Sequence, residues 1–170
     1  MVVSLSDEEI SRLYRVRKPV MQMLKNRGYR VCDMEINMSQ QDFINLFPQN
    51  LRREDFDIHT AKLDNPADQI CVFFPEEAKI GAETLKAYVR RLYSENVLKA
   101  ILVVQDKPTI FEGFSSHKEK EKPTAFVQIT CTNEGSSESR LEIFLEAQLM
   151  MFYDNLVPQD HAITDTQNKT

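Results

Sequence analysis

The sequence predicts a mixed α/β domain, with a mixed sheet of five or six strands and two or three helices beside it. Three observations carry this. Two short apolar runs, Ile70 to Phe74 and Ala100 to Val104, have the length and β-branched content of buried strands. Between them, Leu85, Tyr88, Val89, Leu92 and Tyr93 recur at helical spacing over residues 81–94. Strand, helix and strand at these lengths form a βαβ unit, so 70–74 and 100–104 are expected to be parallel neighbours.

The first element is a helix over residues 7–27. Ser6 followed by Glu9 spells a capping box, and Asp7 and Glu8 suit the positive end of a helix dipole. Ile10, Leu13, Tyr14, Val20, Met21 and Leu24 share one arc, and Arg12, Arg15, Lys18 and Lys25 share another. Pro19 should kink this helix, and Gly28 is placed to end it. Ser39 can cap a short second helix carrying Phe43, Leu46 and Phe47, which Pro48 stops. Gln49 to Glu54 reads as a loop. Phe56, Ile58 and Thr60 alternate with Asp57 and His59 as a half-buried strand, and Asn65-Pro66 marks a turn.

After the βαβ unit the pattern changes. Asp106 to Pro123, with Gly113, Ser115, Ser116 and the charge run Lys118 to Lys122, reads as an exposed loop. Ala125 to Cys131 alternates as a strand, Asn133 to Ser137 is a turn, and 140–145 and 148–153 read as two further strands. The polar stretch after Pro158 is expected to be poorly ordered.

The chain of 170 residues is long enough for one domain with a tail, and its apolar content of 42% and charged content of 28% are those of a folded protein. No apolar run approaches the 18 or so residues of a membrane span, and the N-terminus lacks the pattern of a secretory signal. Cys32, Cys71 and Cys131 are odd in number and widely spaced, which suits a reducing compartment and argues against disulfides or a zinc site. The sequons at Asn37 and Asn168 then read as chance matches, and the nucleus or cytosol as the compartment. The net charge of −5 is unevenly laid out: residues 12–30 hold seven basic residues and no acidic one, leaving 14 basic against 26 acidic elsewhere. A basic surface facing an anionic partner and a solvated helix face both fit that layout.

Catalytic signals are thin. His59, His117 and His161 lack metal-ligand spacing, and no phosphate loop, zinc motif or nucleophile elbow is present. Asp57 or Asp68 with Glu77-Ala-Lys79 loosely echoes the metal-binding carboxylates and lysine of nucleases. In those enzymes the Glu-x-Lys triplet lies within a strand; here Pro75 ends the strand first. Glu76 and Glu77 have a simpler reading, as negative charge ahead of a helix.

Four segments in order carry a resemblance. They are Arg12-Leu-Tyr-Arg-Val-Arg-Lys18 with Met21 to Leu24 and Arg27-Gly-Tyr29; Asn65-Pro-Ala-Asp68 leading into Val72-Phe-Phe-Pro-Glu-Glu77 and Lys79-Ile-Gly81; Ala100 to Gln105; and Leu156-Val-Pro158 with His161 behind. Together they resemble the fifth-largest subunit shared by eukaryotic nuclear RNA polymerases I, II and III, well over 6–105 and more loosely over 140–161. The resemblance implies a restriction-endonuclease-like jaw domain over residues 1–155, non-catalytic, with no cofactor, metal or small-molecule substrate. It implies a nuclear protein whose partners are the largest and other polymerase subunits, downstream double-stranded DNA and transcription regulators, and no membrane. The family's DNA-approaching loop corresponds to Gln105, Lys107, Pro108 and Thr109, although its Thr-Pro-Ser type motif is altered here. A family helix that follows this loop is replaced by the charged stretch 110–123. Leu156, Val157, Pro158 and His161 match the start of an assembly domain of which 156–170 hold only the beginning. The alternatives are a free-standing interaction module with the jaw fold, using the basic helix face and helix 81–94, and a degenerate or active nuclease.

Overall fold

The computed structural model describes residues 4–47, 51–111, 127–132 and 138–156. Its elements in chain order are α1 (Asp7–Asn26), α2 (Asp33–Asn37), α3 (Gln40–Leu46), β1 (Ile58–Ala61), β2 (Gln69–Phe73), α4 (Ala82–Ser94), β3 (Lys99–Val104), β4 (Val127–Thr132), β5 (Glu138–Leu145) and α5 (Glu146–Leu156). Short 3-10 turns lie at Arg53–Phe56 and Thr109–Phe111.

α1 starts where Ser6 and Glu9 cap each other: the Ser6 hydroxyl accepts from the Glu9 N–H, and Glu9 accepts from the Ser6 N–H. It runs through Pro19, whose ring is buried and which cannot offer an N–H to the Arg15 carbonyl. It ends in a Schellman motif, with the Tyr29 N–H bonded to the Leu24 carbonyl and the Gly28 N–H to that of Lys25, both at 3.0 Å. Gly28 has φ +86°, which a residue without Cβ adopts freely. α4 ends the same way on Asn96, at φ 57°, with the Val97 N–H bonded to the Leu92 carbonyl.

The five strands form one mixed sheet in the order β1-β2-β3-β5-β4. β2, β3 and β5 are parallel, as the βαβ reading requires for the first two, while β1 and β4 are antiparallel edges. Alternate side chains of the central strands divide into two cores. Ile70, Val72, Phe74, Ile101, Val103 and Phe144 meet residues of α1, α2, α3 and α5, whereas Cys71, Phe73, Leu102, Val104, Leu141 and Ile143 meet Leu92 and its neighbours on α4. The result is a three-layer α/β/α unit.

Several boundaries differ from expectation. The strand expected at 56–60 begins at Ile58, because Phe56 closes a 3-10 turn. α2 was not signalled, being only five residues long without a side-chain cap. The strand expected over 148–153 is helix α5. No Gly, Pro or Asn separates it from β5, and Ala147, Gln148, Leu149 and Met150 favour helix. Gln148, three residues in, reaches back to accept the Leu145 N–H at 3.1 Å, half of a capping box. Pro48, the turn at 133–137, most of the loop at 106–123 and the tail after Pro158 lie outside the described residues.

The two helices at the chain ends are joined by buried charge. Glu146, at the start of α5, meets Arg53 at 2.6 Å and Arg12 of α1 at 3.3 Å, with the side chains of Arg53 and Glu146 only 6% and 5% exposed. Arg53 also donates from Nε to the Pro75 carbonyl at 2.9 Å. Removing one partner of a buried pair strands the other. Glu146→Ala is therefore expected to lower stability by about 3–5 kcal/mol in urea titrations. Arg12→Ala, whose side chain is 41% exposed, should cost no more than about 1 kcal/mol. Equal losses from the two variants would contradict the buried assignment.

Candidate nucleic-acid interface

Because β2 and β3 run parallel, the segments leaving their carboxyl ends emerge side by side. Backbone bonds then stitch them together. The Asp106 N–H donates to the Ala78 carbonyl at 3.0 Å and the Thr109 N–H to that of Ile80 at 3.1 Å. Gln105 Nε2 adds a longer bond to the Glu76 carbonyl, at 3.4 Å. Pro108 and Ile80 are buried beneath, Lys107 is half-buried and Thr109 is exposed. A Cβ on Gly81 would lie 3.8 Å from Thr109 Oγ1, so the start of α4 closes against this loop. The four loop residues singled out by the sequence are thus collected on one ledge with Glu76 to Gly81.

The ledge has mixed charge: Glu76, Glu77 and Asp106 accompany Lys79 and Lys107. Both lysines are engaged with neighbouring groups. Glu77 accepts the Thr84 hydroxyl at 2.9 and 3.0 Å, over the first turn of α4, where the helix dipole favours a carboxylate.

The nuclease-like residues do not converge. Asp57 accepts the Phe74 N–H at 2.8 Å, beside the carboxyl end of β2. Asp68 sits at the other end of that strand, paired with Lys99 at 3.0 Å. Glu77 and Lys79 lie in the connecting loop, past the last residue of β2. Among the described residues no group of three His, Cys, Asp or Glu could hold a metal ion. Burial pushes Asp57 up to about 6, against the opposing pull of the Phe74 N–H. Burial likewise pushes the Cys71 thiol up to about 11, the state of a core cysteine rather than a nucleophile.

The basic stretch of α1 is largely occupied within the chain. Arg12 faces Glu146 at 3.3 Å, Arg17 faces Glu35 at 4.0 Å, and Lys25 pairs with Asp33. Arg27 grips Glu142 of β5 with two bonds, at 2.7 and 2.9 Å, and that contact raises its pKa. Arg15 and Lys18 also have partners. Sequence reasoning missed Arg53, Glu142 and Glu146, because nothing local marks a charged residue as buried against one far along the chain. Leu156 is the last residue of α5, while Val157, Pro158 and His161 lie outside the described residues.

The family profile described as RNA polymerase Rpb5, N-terminal domain, matches residues 7–92. The chain is similar to the subunit RPABC1 of DNA-directed RNA polymerases I, II and III from Caenorhabditis briggsae, 35% identical over 97% of this chain and 74% of that protein. The corresponding subunit of Dictyostelium discoideum is 30% identical over 92% of this chain and 70% of its own length. DNA-directed RNA polymerase subunit 5-like protein 1 of Arabidopsis thaliana is 34% identical over 58% of this chain and 49% of its length.

Asp57 should leave a signature in stability. Its carboxyl is raised from 3.8 to about 6, so between those values the native state keeps a proton that the unfolded state has lost. Stability should therefore fall as pH rises from about 4 to about 6 and stay lowered above that window. Asp57→Asn keeps an oxygen for the Phe74 N–H and removes the charge. Urea midpoints measured against pH should flatten over that window in the variant, and an unchanged fall would show that another group causes it.

Proposed function

The chain belongs to the RNA polymerase Rpb5 family, and we propose from that membership that it serves as a non-catalytic subunit of a eukaryotic DNA-directed RNA polymerase. The observation that carries the reading is the near end-to-end likeness to shared polymerase subunits, over 97% of the chain. The other polymerase subunits, the largest foremost, are its partners, and transcription in the nucleus is its setting. Residues 1–155 act as the jaw, and 156–170 lead toward the region that docks on the largest subunit, with Leu156, Val157, Pro158 and His161 as contact residues.

A non-catalytic role agrees with the placement of Asp57, Asp68 and Glu77, each turned to a separate partner. The contribution to transcription is instead positional. The ledge carrying Gln105, Lys107, Pro108 and Thr109 faces the downstream duplex, with Lys107 approaching a phosphate. Contacts of that kind fix the duplex without reading its sequence, which lets DNA slide through. With Glu76, Glu77 and Asp106 nearby, the ledge guides DNA and does not clamp it. Regulators of transcription are further partners, at the exposed face of α4.

Affinity purification of the tagged endogenous protein should recover the largest and second-largest polymerase subunits in near one-to-one amounts. Their absence, with the protein soluble and folded, would replace this reading with that of a free-standing interaction module. In the assembled polymerase, Lys107→Glu should weaken downstream-duplex binding and reduce the salt dependence of affinity by about one unit of slope. An unchanged slope would remove Lys107 from the contact.

A further inference from the structure

β2 outlasts its neighbour at the edge of the sheet. β1 begins at Ile58, opposite Val72, because Phe56 closes a 3-10 turn. By the two-residue alternation of an antiparallel ladder, Phe74 would next bond residue 56. Asp57 takes that place: its Oδ1 accepts the Phe74 N–H at 2.8 Å. One residue on, the Pro75 carbonyl accepts from Arg53 Nε at 2.9 Å, and the Arg53 side chain is 6% exposed. Two side chains of one turn thus finish the ladder that the strand leaves incomplete.

The turn is itself fixed. Phe56 is fully buried, its ring centre 5.4 Å from that of Phe43 and 4.7 Å from that of Phe47. Asp55 closes the turn on the Arg52 N–H at 2.8 Å. Arg53 pairs with Glu146 of α5, and Arg91 of α4 acts on Asp57, so the turn ties the exit of β2 to helices of both layers.

Beyond this exit, Glu76 to Lys79 are exposed. The next anchors are Ile80, fully buried, and Gly81, whose carbonyl accepts the Leu85 N–H at the start of α4. Between the anchors, the carbonyls of Glu76, Ala78 and Ile80 receive Gln105, Asp106 and Thr109. Exposed residues gain little from packing, so the two ends of this segment decide where those carbonyls stand.

We propose that Arg53 and Asp57 are positioning residues of the ledge: by holding the Pro75 carbonyl and the Phe74 N–H, they place the carbonyls on which the loop Gln105 to Thr109 is set. The proposal rests on the duplex-guiding reading for its use, though not for its geometry.

Hydrogen exchange at the Asp106 and Thr109 amides reads the ledge directly, and exchange at Tyr29 and Val97, in the turns that end α1 and α4, reads stability elsewhere. Asp57→Ala should speed Asp106 and Thr109 about fivefold, the worth of one hydrogen bond, and leave Tyr29 and Val97 unchanged. Asp57→Asn, which retains an oxygen acceptor, should restore the original rates. Both variants lack the charge, so their difference isolates the acceptor. Arg53→Met combined with Glu146→Gln removes the Pro75 bond without stranding a buried carboxylate, and should speed the same two amides about tenfold. In the assembled polymerase, Asp57→Ala should weaken downstream-duplex binding and Asp57→Asn recover it. Loosened amides with unchanged duplex binding would uphold the positioning and remove the ledge from the path of DNA. Equal acceleration at all four amides would mean general destabilisation, and unchanged rates at Asp106 and Thr109 a ledge that stands without the turn. Either result overturns the proposal.

Discussion

Much of this structure hangs on a carboxylate that has left water. Glu146 opens α5 under two guanidinium groups, and a lone buried carboxylate would be far too costly to keep charged. Its partners therefore dictate what must lie beside it. Arg12 brings α1 against α5, and Arg53 brings the turn ahead of β1. Through the Pro75 carbonyl, Arg53 also fixes the point where the chain leaves β2. The ledge depends on that point, since Gln105, Asp106 and Thr109 are bonded to the residues that follow Pro75. The proposed duplex-guiding surface is thus anchored, through Pro75, to a buried charge cluster between α1 and α5.

The sheet also gives its two ends different chemistry. Parallel strands β2 and β3 have distinct ends: the carboxyl ends carry the ledge and the start of α4, and the amino ends carry Lys62, Lys99 and the Schellman turn of α1. A chain of overall negative charge in this way keeps Lys62 and Lys99 at one end of its sheet, while Glu142 and Glu146 are buried against arginines.

What the sequence made legible was whatever is encoded locally. The capping box at Ser6, the stop at Gly28 and the βαβ unit follow from spacing and residue type, and each lies where expected. The ledge was legible as a set of residues after β3, though not its stitching to Ala78 and Ile80, which are remote in the chain. The run of seven cations was legible as a charge anomaly and not in its use, because its carboxylates, Asp33, Glu35, Glu142 and Glu146, come from three other elements. α5 was misread because apolar residues at 148–153 fit either period over so short a window. The capping glutamine at 148 was the signal that distinguished them.

The strand order has a consequence for how the chain is made. β4 follows β3 in the chain yet lies outermost, and β5 slots between them. β4 and β5 can pair early as a hairpin, but the sheet closes only when that hairpin docks on β3. The grip of Arg27 on Glu142 spans 115 residues, so it belongs to the same late step. Contacts of such separation slow folding. During synthesis α1 waits with its apolar face unfinished until nearly the whole domain has emerged. The first helix to be made is therefore among the last to be fully packed, since Phe144 and Leu149 belong to the core that its apolar face joins.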